Sequence, residues 1–110
     1  MKEIGGYLEL DKYHGEMRYE TGYKLNCGRN ALAYLLKKKN IKKLLMPKFM
    51  CDSCDKVLKD YQVEVRYYSI GLDFRPLNLC RKSEDEWIYV VNYYGQLSNS
   101  YIKNVGKNII

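Results

Sequence analysis

The sequence holds one histidine, two prolines, two phenylalanines and one tryptophan among its 110 residues. The lone imidazole, His14, sits in a segment with no sustained period, so a nucleophile–histidine–carboxylate relay is not expected. Neither a Gly-x-Gly-x-x-Gly run nor a P-loop occurs. No apolar run approaches the roughly 20 residues that span a bilayer, so no membrane partner is expected. The N-terminus reads Met-Lys-Glu without an apolar h-region, which gives no secretory signal and makes the cytoplasm the expected compartment. Internal repeats and low-complexity linkers are also missing.

What is present fits a single domain with one core. Hydrophobic residues make up 46% and charged residues 29%, a balance typical of globular chains. The net charge is +6, but five lysines fall in the run from Lys37 to Lys43. Cations at a helix C-terminus complement its dipole, so a solvated helix end accounts for them better than a nucleic-acid patch does. No nucleic-acid partner is expected, since no DNA- or RNA-binding signature accompanies the charge. Twelve tyrosines suit half-wet positions, either on strand faces or at an interface or pocket wall.

Residues 1–23 read as an arm of loops with four glycines. From Gly28 to Lys39, Ala31, Leu32, Leu35 and Leu36 recur on one helical face. "KKLLMP" predicts a short strand stopped by Pro47, and Asp52 or Ser53 can cap a second helix that turns Val57, Leu58 and Tyr61 inwards. Val63 to Ile70 alternates as a strand, and "GLDFRPLNL" reads as loop. Trp87 to Val91 predicts a central strand buried on both faces. Ser98 or Asn99 caps a third helix through Val105, and "KNII" opens a further strand. Strands alternating with helices imply a three-layer αβα fold around a mainly parallel sheet. Ligands in such sheets bind at the carboxyl edge. The apolar segment that stops at Ile110 leads to the expectation that residues 24–110 are an incomplete α/β domain.

Three constellations carry possible chemistry. The helix start at Asn26-Cys27-Gly28-Arg29-Asn30 offers free peptide N–H groups, a glycine for close approach and a guanidinium fork, all suited to phosphate; ordinary capping by Asn26 produces the same pattern. Cys51-Asp52-Ser53-Cys54 reads as a redox pair, as half of a zinc site with Cys27 and Cys80, or as two buried helix-face cysteines, the reading preferred here. Val91-Asn92-Tyr93-Tyr94-Gly95-Gln96 either delivers polar side chains to the sheet rim or is a plain strand exit.

These three segments, in this order, resemble the fold-type-I pyridoxal-phosphate enzymes, specifically the DegT/DnrJ-like sugar aminotransferases. Gly28-Arg29-Asn30-Ala31-Leu32 is similar to the family's Ser-Gly-Thr-x-Ala-Leu helix start, with Cys27 for the serine and Arg29 for the threonine. Pro47-Lys48-Phe49-Met50-Cys51 resembles its Pro-x-Phe-Thr-aromatic segment, with Cys51 where an aromatic stacks on the pyridine ring. Val91 to Gln96 resembles its Val-His-Leu-Tyr-Gly-Gln strand. The resemblance implies pyridoxal phosphate as cofactor, held by Cys27, Gly28, Arg29, Asn30, Cys51, Asn92 and Tyr94. It further implies a homodimer with the active site at the interface and a small sugar-nucleotide-type substrate. It covers most of this chain but only the first third or so of a family member. The aspartate that pairs with the pyridine nitrogen and the lysine that attaches the cofactor have no counterpart here, so no amino-group transfer is expected from these residues alone. The alternative is a non-catalytic α/β module for oligomerisation or binding.

Overall fold

The computed structural model describes residues 20–110. The expected arm over 1–23, His14 included, lies almost wholly outside the described residues. The elements are α1 (Gly28–Lys38), β1 (Lys43–Pro47), a 3₁₀ turn (Asp52–Cys54) leading into α2 (Asp55–Asp60), β2 (Glu64–Ile70), β3 (Pro76–Leu77), β4 (Trp87–Ile88), a 3₁₀ turn (Tyr93–Gly95) and α3 (Asn99–Asn104). Among the described residues, no helix is long and apolar enough to cross a membrane.

Two helices hand over to strands by the same device. At the end of α1, Asn40 enters the left-handed region (φ 49°), and the Ile41 and Asn40 N–H groups donate back to the Leu36 and Lys37 carbonyls. At the end of α2, Gln62 (φ 53°) does likewise, with Val63 and Gln62 donating to Leu58 and Lys59. This is the Schellman arrangement, and it normally carries an apolar contact between the residue after the turn and the last helical turn. Ile41 and Leu36 accordingly share one core cluster, and Val63 packs on the cluster that contains Leu58.

The sheet runs β3-β2-β1-β4. β1 pairs in parallel with both β2 and β4, while β3 returns antiparallel along β2. The chain is therefore a mixed α/β domain with a four-stranded sheet and three helices, as the alternation of periods implies for its class. Two details differ from the sequence reading. Pro76–Leu77, expected as loop, becomes β3 because the Gly71 N–H donates to the Arg75 carbonyl and folds the chain back on β2. The strand expected over Trp87–Val91 is regular only at Trp87–Ile88, and the final segment contributes a single parallel bridge, Ile88 to Ile109. Backbone bonds nonetheless continue past β4, from Tyr89 N–H to Leu45 and from Val90 N–H to Ile110.

Alternation along β1 divides the core. Leu44 and Met46 join Leu32 and Leu36 of α1 and Leu58 of α2 on one face. Leu45 joins Tyr68 and Ile88 on the other, where Leu79 and Val105 cover it. Each fully buried leucine contributes about 1.5–3 kcal/mol, so Leu32 and Leu36 suffice to fix α1 against β1. The short link Lys39–Lys42 then makes the helix antiparallel to the strand. Both elements span about 16 Å, so the first turn of α1 lies level with the carboxyl end of β1.

Candidate functional site at the carboxyl edge of the sheet

The rim is built where β1 and β2 end, where the chain leaves β4, and where α1 begins. Cys27 is the residue before the first turn of α1, in extended backbone, and its side chain makes no capping hydrogen bond. The first backbone bond of the helix runs from Ala31 N–H to the Cys27 carbonyl, so the Gly28, Arg29 and Asn30 N–H groups have no helical acceptor. Asn26 does not cap the helix; its Oδ1 accepts instead from the Asn30 side-chain amide. Gly28 is exposed, and a Cβ added there would meet nothing within 4 Å. Arg29 is exposed, and among the described residues no carboxylate pairs with it. The Asn30 N–H, followed by the Arg29 guanidinium, holds the Cys27 thiol below its usual pKa although partial burial opposes this. An electropositive helix start thus faces solvent. Neither packing nor a positive φ requires glycine at position 28.

Cys51 precedes the 3₁₀ turn that opens α2 and is exposed, while Cys54 is 5% exposed and belongs to the core. The reading of two buried cysteines therefore holds for one of them. Cys51 Sγ lies 3.0 Å from Ser53 Oγ, and this hydroxyl and the Ser53 N–H lower the thiol pKa. Both cysteines line a cavity of about 220 Å³ with Met46, Pro47, Lys48 and Tyr67 among its walls. All four cysteines are free thiols. Among the described residues no three His, Cys, Asp or Glu side chains are gathered as metal ligands, so Cys27 and Cys80 do not join this pair.

At the exit of β4, both polar groups of Asn92 are engaged. Its Oδ1 accepts from Leu97 N–H at 2.8 Å, and its Nδ2 donates to the Leu97 carbonyl at 3.1 Å. The bridge closes the turn around Tyr93–Gly95 and seats the buried Leu97. Tyr94 occupies the left-handed region (φ 52°) and is 82% exposed. It packs edge-on against Phe74, with ring centres 5.1 Å apart.

Phe49, Phe74 and Tyr93 were not singled out from the sequence as site residues, yet they form the rim with Tyr94. Tyr93 lies 5.5 Å from Phe49 and 6.2 Å from Phe74 between ring centres, and its hydroxyl donates to the Phe49 carbonyl. Each leaves the end of a different strand: Phe49 after β1, Phe74 after β2, Tyr93 after β4. An aromatic within a few residues of every parallel strand exit is the sequence signal that points to them. Cys51 and Tyr94 line separate cavities, Tyr94 with Leu72, Asp73, Phe74, Arg75 and Gln96. The expected site residues thus fall into three separate groups: Cys27 to Asn30 at the start of α1, Cys51 in its own cavity, and Asn92 and Tyr94 at the exit of β4.

The opposite edge is different in character. Before β4, Arg81 and Lys82 face Lys107 and Asn108 across a cavity of about 650 Å³, and Nε and Nη2 of Arg81 are buried without a hydrogen-bond partner among the described residues. Comparison with protein-family models, with curated proteins and with solved structures gave no match.

Proposed function

We propose that this chain carries the phosphate cradle of a pyridoxal-phosphate-dependent, DegT/DnrJ-like aminotransferase fold, and that it binds the phosphate ester without itself transferring an amino group. One observation carries the reading: at the first turn of α1 no side chain caps the helix by a hydrogen bond, the Gly28 and Arg29 N–H groups have no helical acceptor, and no carboxylate among the described residues pairs with the Arg29 guanidinium. Helix N-termini bind phosphate through such groups, and Arg29 adds a bidentate fork. The residues present fit the phosphate better than the ring. Cys51 brings no aromatic face, and the Asn92 amide is already held by Leu97.

When bound, the cofactor supplies an electron sink for carbanion chemistry. The chain's own part is to bind and orient. The α1 amides at Gly28 and Arg29 would hold the phosphate, and the Arg29 guanidinium would offset its charge. A homodimer across the carboxyl edge of the sheet belongs to the same proposal.

The test compares pyridoxamine 5′-phosphate with pyridoxamine by calorimetry, since neither carries an aldehyde that surface lysines could trap. The phosphate form is expected to bind at least tenfold more tightly, about 1.4 kcal/mol, and Arg29→Ala to remove most of that difference. Equal affinity for the two compounds, or an unchanged difference in the variant, counts against the cradle.

A second reading, a non-catalytic module that associates through this edge, is favoured by the exposure of Phe49 (61%) and Leu72 (104%) there. Light scattering on the Phe49→Ser, Leu72→Ser variant separates it: loss of a dimer while phosphate-ester binding persists supports association through the apolar rim.

A further inference from the structure

We propose that Cys51 and Cys54 form a dithiol centre that exchanges with small neutral or cationic disulfides. It does not rest on the cofactor-phosphate reading.

The geometry comes first. A 3₁₀ turn over Asp52–Cys54 separates the two cysteines, and such a turn brings the Cα atoms of residues three apart to within about 7 Å. A disulfide needs about 4.4–6.8 Å between Cα atoms, a range that the span of this turn overlaps. Exposure then divides the roles. Cys51 stands in solvent ahead of the turn, and Cys54 is 5% exposed against Met46 and Leu58. Both line the same cavity, and both thiols act on the Tyr89 phenol, whose pKa is raised mainly by burial and then by these two neighbours. Ser53, with its hydroxyl and its N–H, favours the Cys51 thiolate. The thiolate is the nucleophile in disulfide exchange.

The exchange balances as follows. Cys51 thiolate attacks one sulfur of RS–SR; the S–S bond breaks, and RS⁻ leaves and takes up the proton that Cys51 released. Cys54 then loses its proton, attacks the Cys51 sulfur of the mixed disulfide and expels a second RS⁻, which is protonated in turn. Two electrons pass from the dithiol to the substrate disulfide, giving Cys51–Cys54 and two RSH. Charge sets the substrate class. Asp52 and Asp55 line the cavity against the single cation Lys48, so anionic disulfides are disfavoured.

The test incubates the reduced full chain with cystamine, 2-hydroxyethyl disulfide or oxidised glutathione, followed by alkylation and mass spectrometry of the tryptic peptide Phe49–Lys56. The expected product is that peptide lighter by two hydrogens, formed about tenfold faster with cystamine than with oxidised glutathione. Cys54→Ser, or Cys54→Ala if the serine variant does not fold by circular dichroism, stops at a mixed disulfide on Cys51. A mixed disulfide that persists in the unsubstituted chain, reaction only at Cys27 or Cys80, or fastest reaction with oxidised glutathione overturns the proposal.

Discussion

The Arg66 guanidinium meets the Glu86 carboxylate side-on, Nε to Oε1 and Nη2 to Oε2, each at 2.7 Å. Glu86 also accepts from Lys82 N–H at 2.8 Å, and Arg66 donates to the Cys80 carbonyl at 2.9 Å. One ion pair thus ties β2 to the whole segment that leads into β4. The Glu86 side chain is 4% exposed and that of Arg66 27%, so removing the acid alone leaves a half-buried cation without its partner. Glu86→Leu is expected to cost about 2–4 kcal/mol in urea unfolding, and adding Arg66→Met to recover more than half of it. A double variant no better than the single one would show that the loss comes from packing rather than from the stranded charge.

The same pair sets an acid limit. Arg66 holds the Glu86 carboxyl below its usual pKa, with burial opposing and the Lys82 N–H assisting. A carboxyl whose folded pKa is depressed stabilises fully above its unfolded value, about 4.3, and that stability is lost as pH falls through the folded value. Asp85, lowered by Ser83 and then Lys43, acts in the same direction from a more exposed position. The urea midpoint is therefore expected to fall as pH drops below about 4.5. The fall should be smaller in the Arg66→Met, Glu86→Leu double variant. Parallel pH profiles for the two proteins would remove Glu86 from the account.

The helices, their inward faces and the first two strands were legible because their periods are local. Leu32, Leu36 and Leu58 fell where the helical spacing put them. Ser98 caps α3 as read, accepting from Tyr101 N–H. Pieces that depend on distant partners were not legible. Pro76–Leu77 becomes a strand where the Gly71–Arg75 turn lays it on the edge of β2, and Trp87–Val91 is cut short because β1 meets it at Leu44 and Leu45 alone. The candidate site behaves the same way. The Asn92 clasp on Leu97 and the stacking of Phe49, Phe74 and Tyr93 join segments that no local pattern connects.

The two Schellman ends make an internal comparison. Asn40 and Gln62 hold matching left-handed conformations, but asparagine tolerates that region and glutamine does not. The strain at Gln62 is about 1–2 kcal/mol, against about 0.5–1 kcal/mol of backbone entropy lost by a glycine. Gln62→Gly is therefore expected to stabilise by about 0.5–1 kcal/mol, and Asn40→Gly by less, measured as urea midpoints at pH 7. The order matters more than the size. An equal or reversed effect would mean that side-chain contacts of Gln62 outweigh its backbone strain.

Asn92 supplies the sharpest test of what the strand exit does without a ligand. An aspartate keeps the acceptor for Leu97 N–H but replaces the Nδ2 donor with an oxygen facing the Leu97 carbonyl. One hydrogen bond is lost and one repulsion gained between the exposed Asn92 side chain and the backbone of the buried Leu97, a change worth about 0.5–1.5 kcal/mol. Asn92→Asp is therefore expected to lower the unfolding midpoint of the free protein, and Leu97 and Tyr93 amide signals should show faster hydrogen exchange than those of β1. A serine at position 92 forms neither arm of the bridge well and should be at least as destabilising. If both variants match the parent in stability and exchange, the clasp contributes nothing to the fold, and the amide is free to serve a ligand instead.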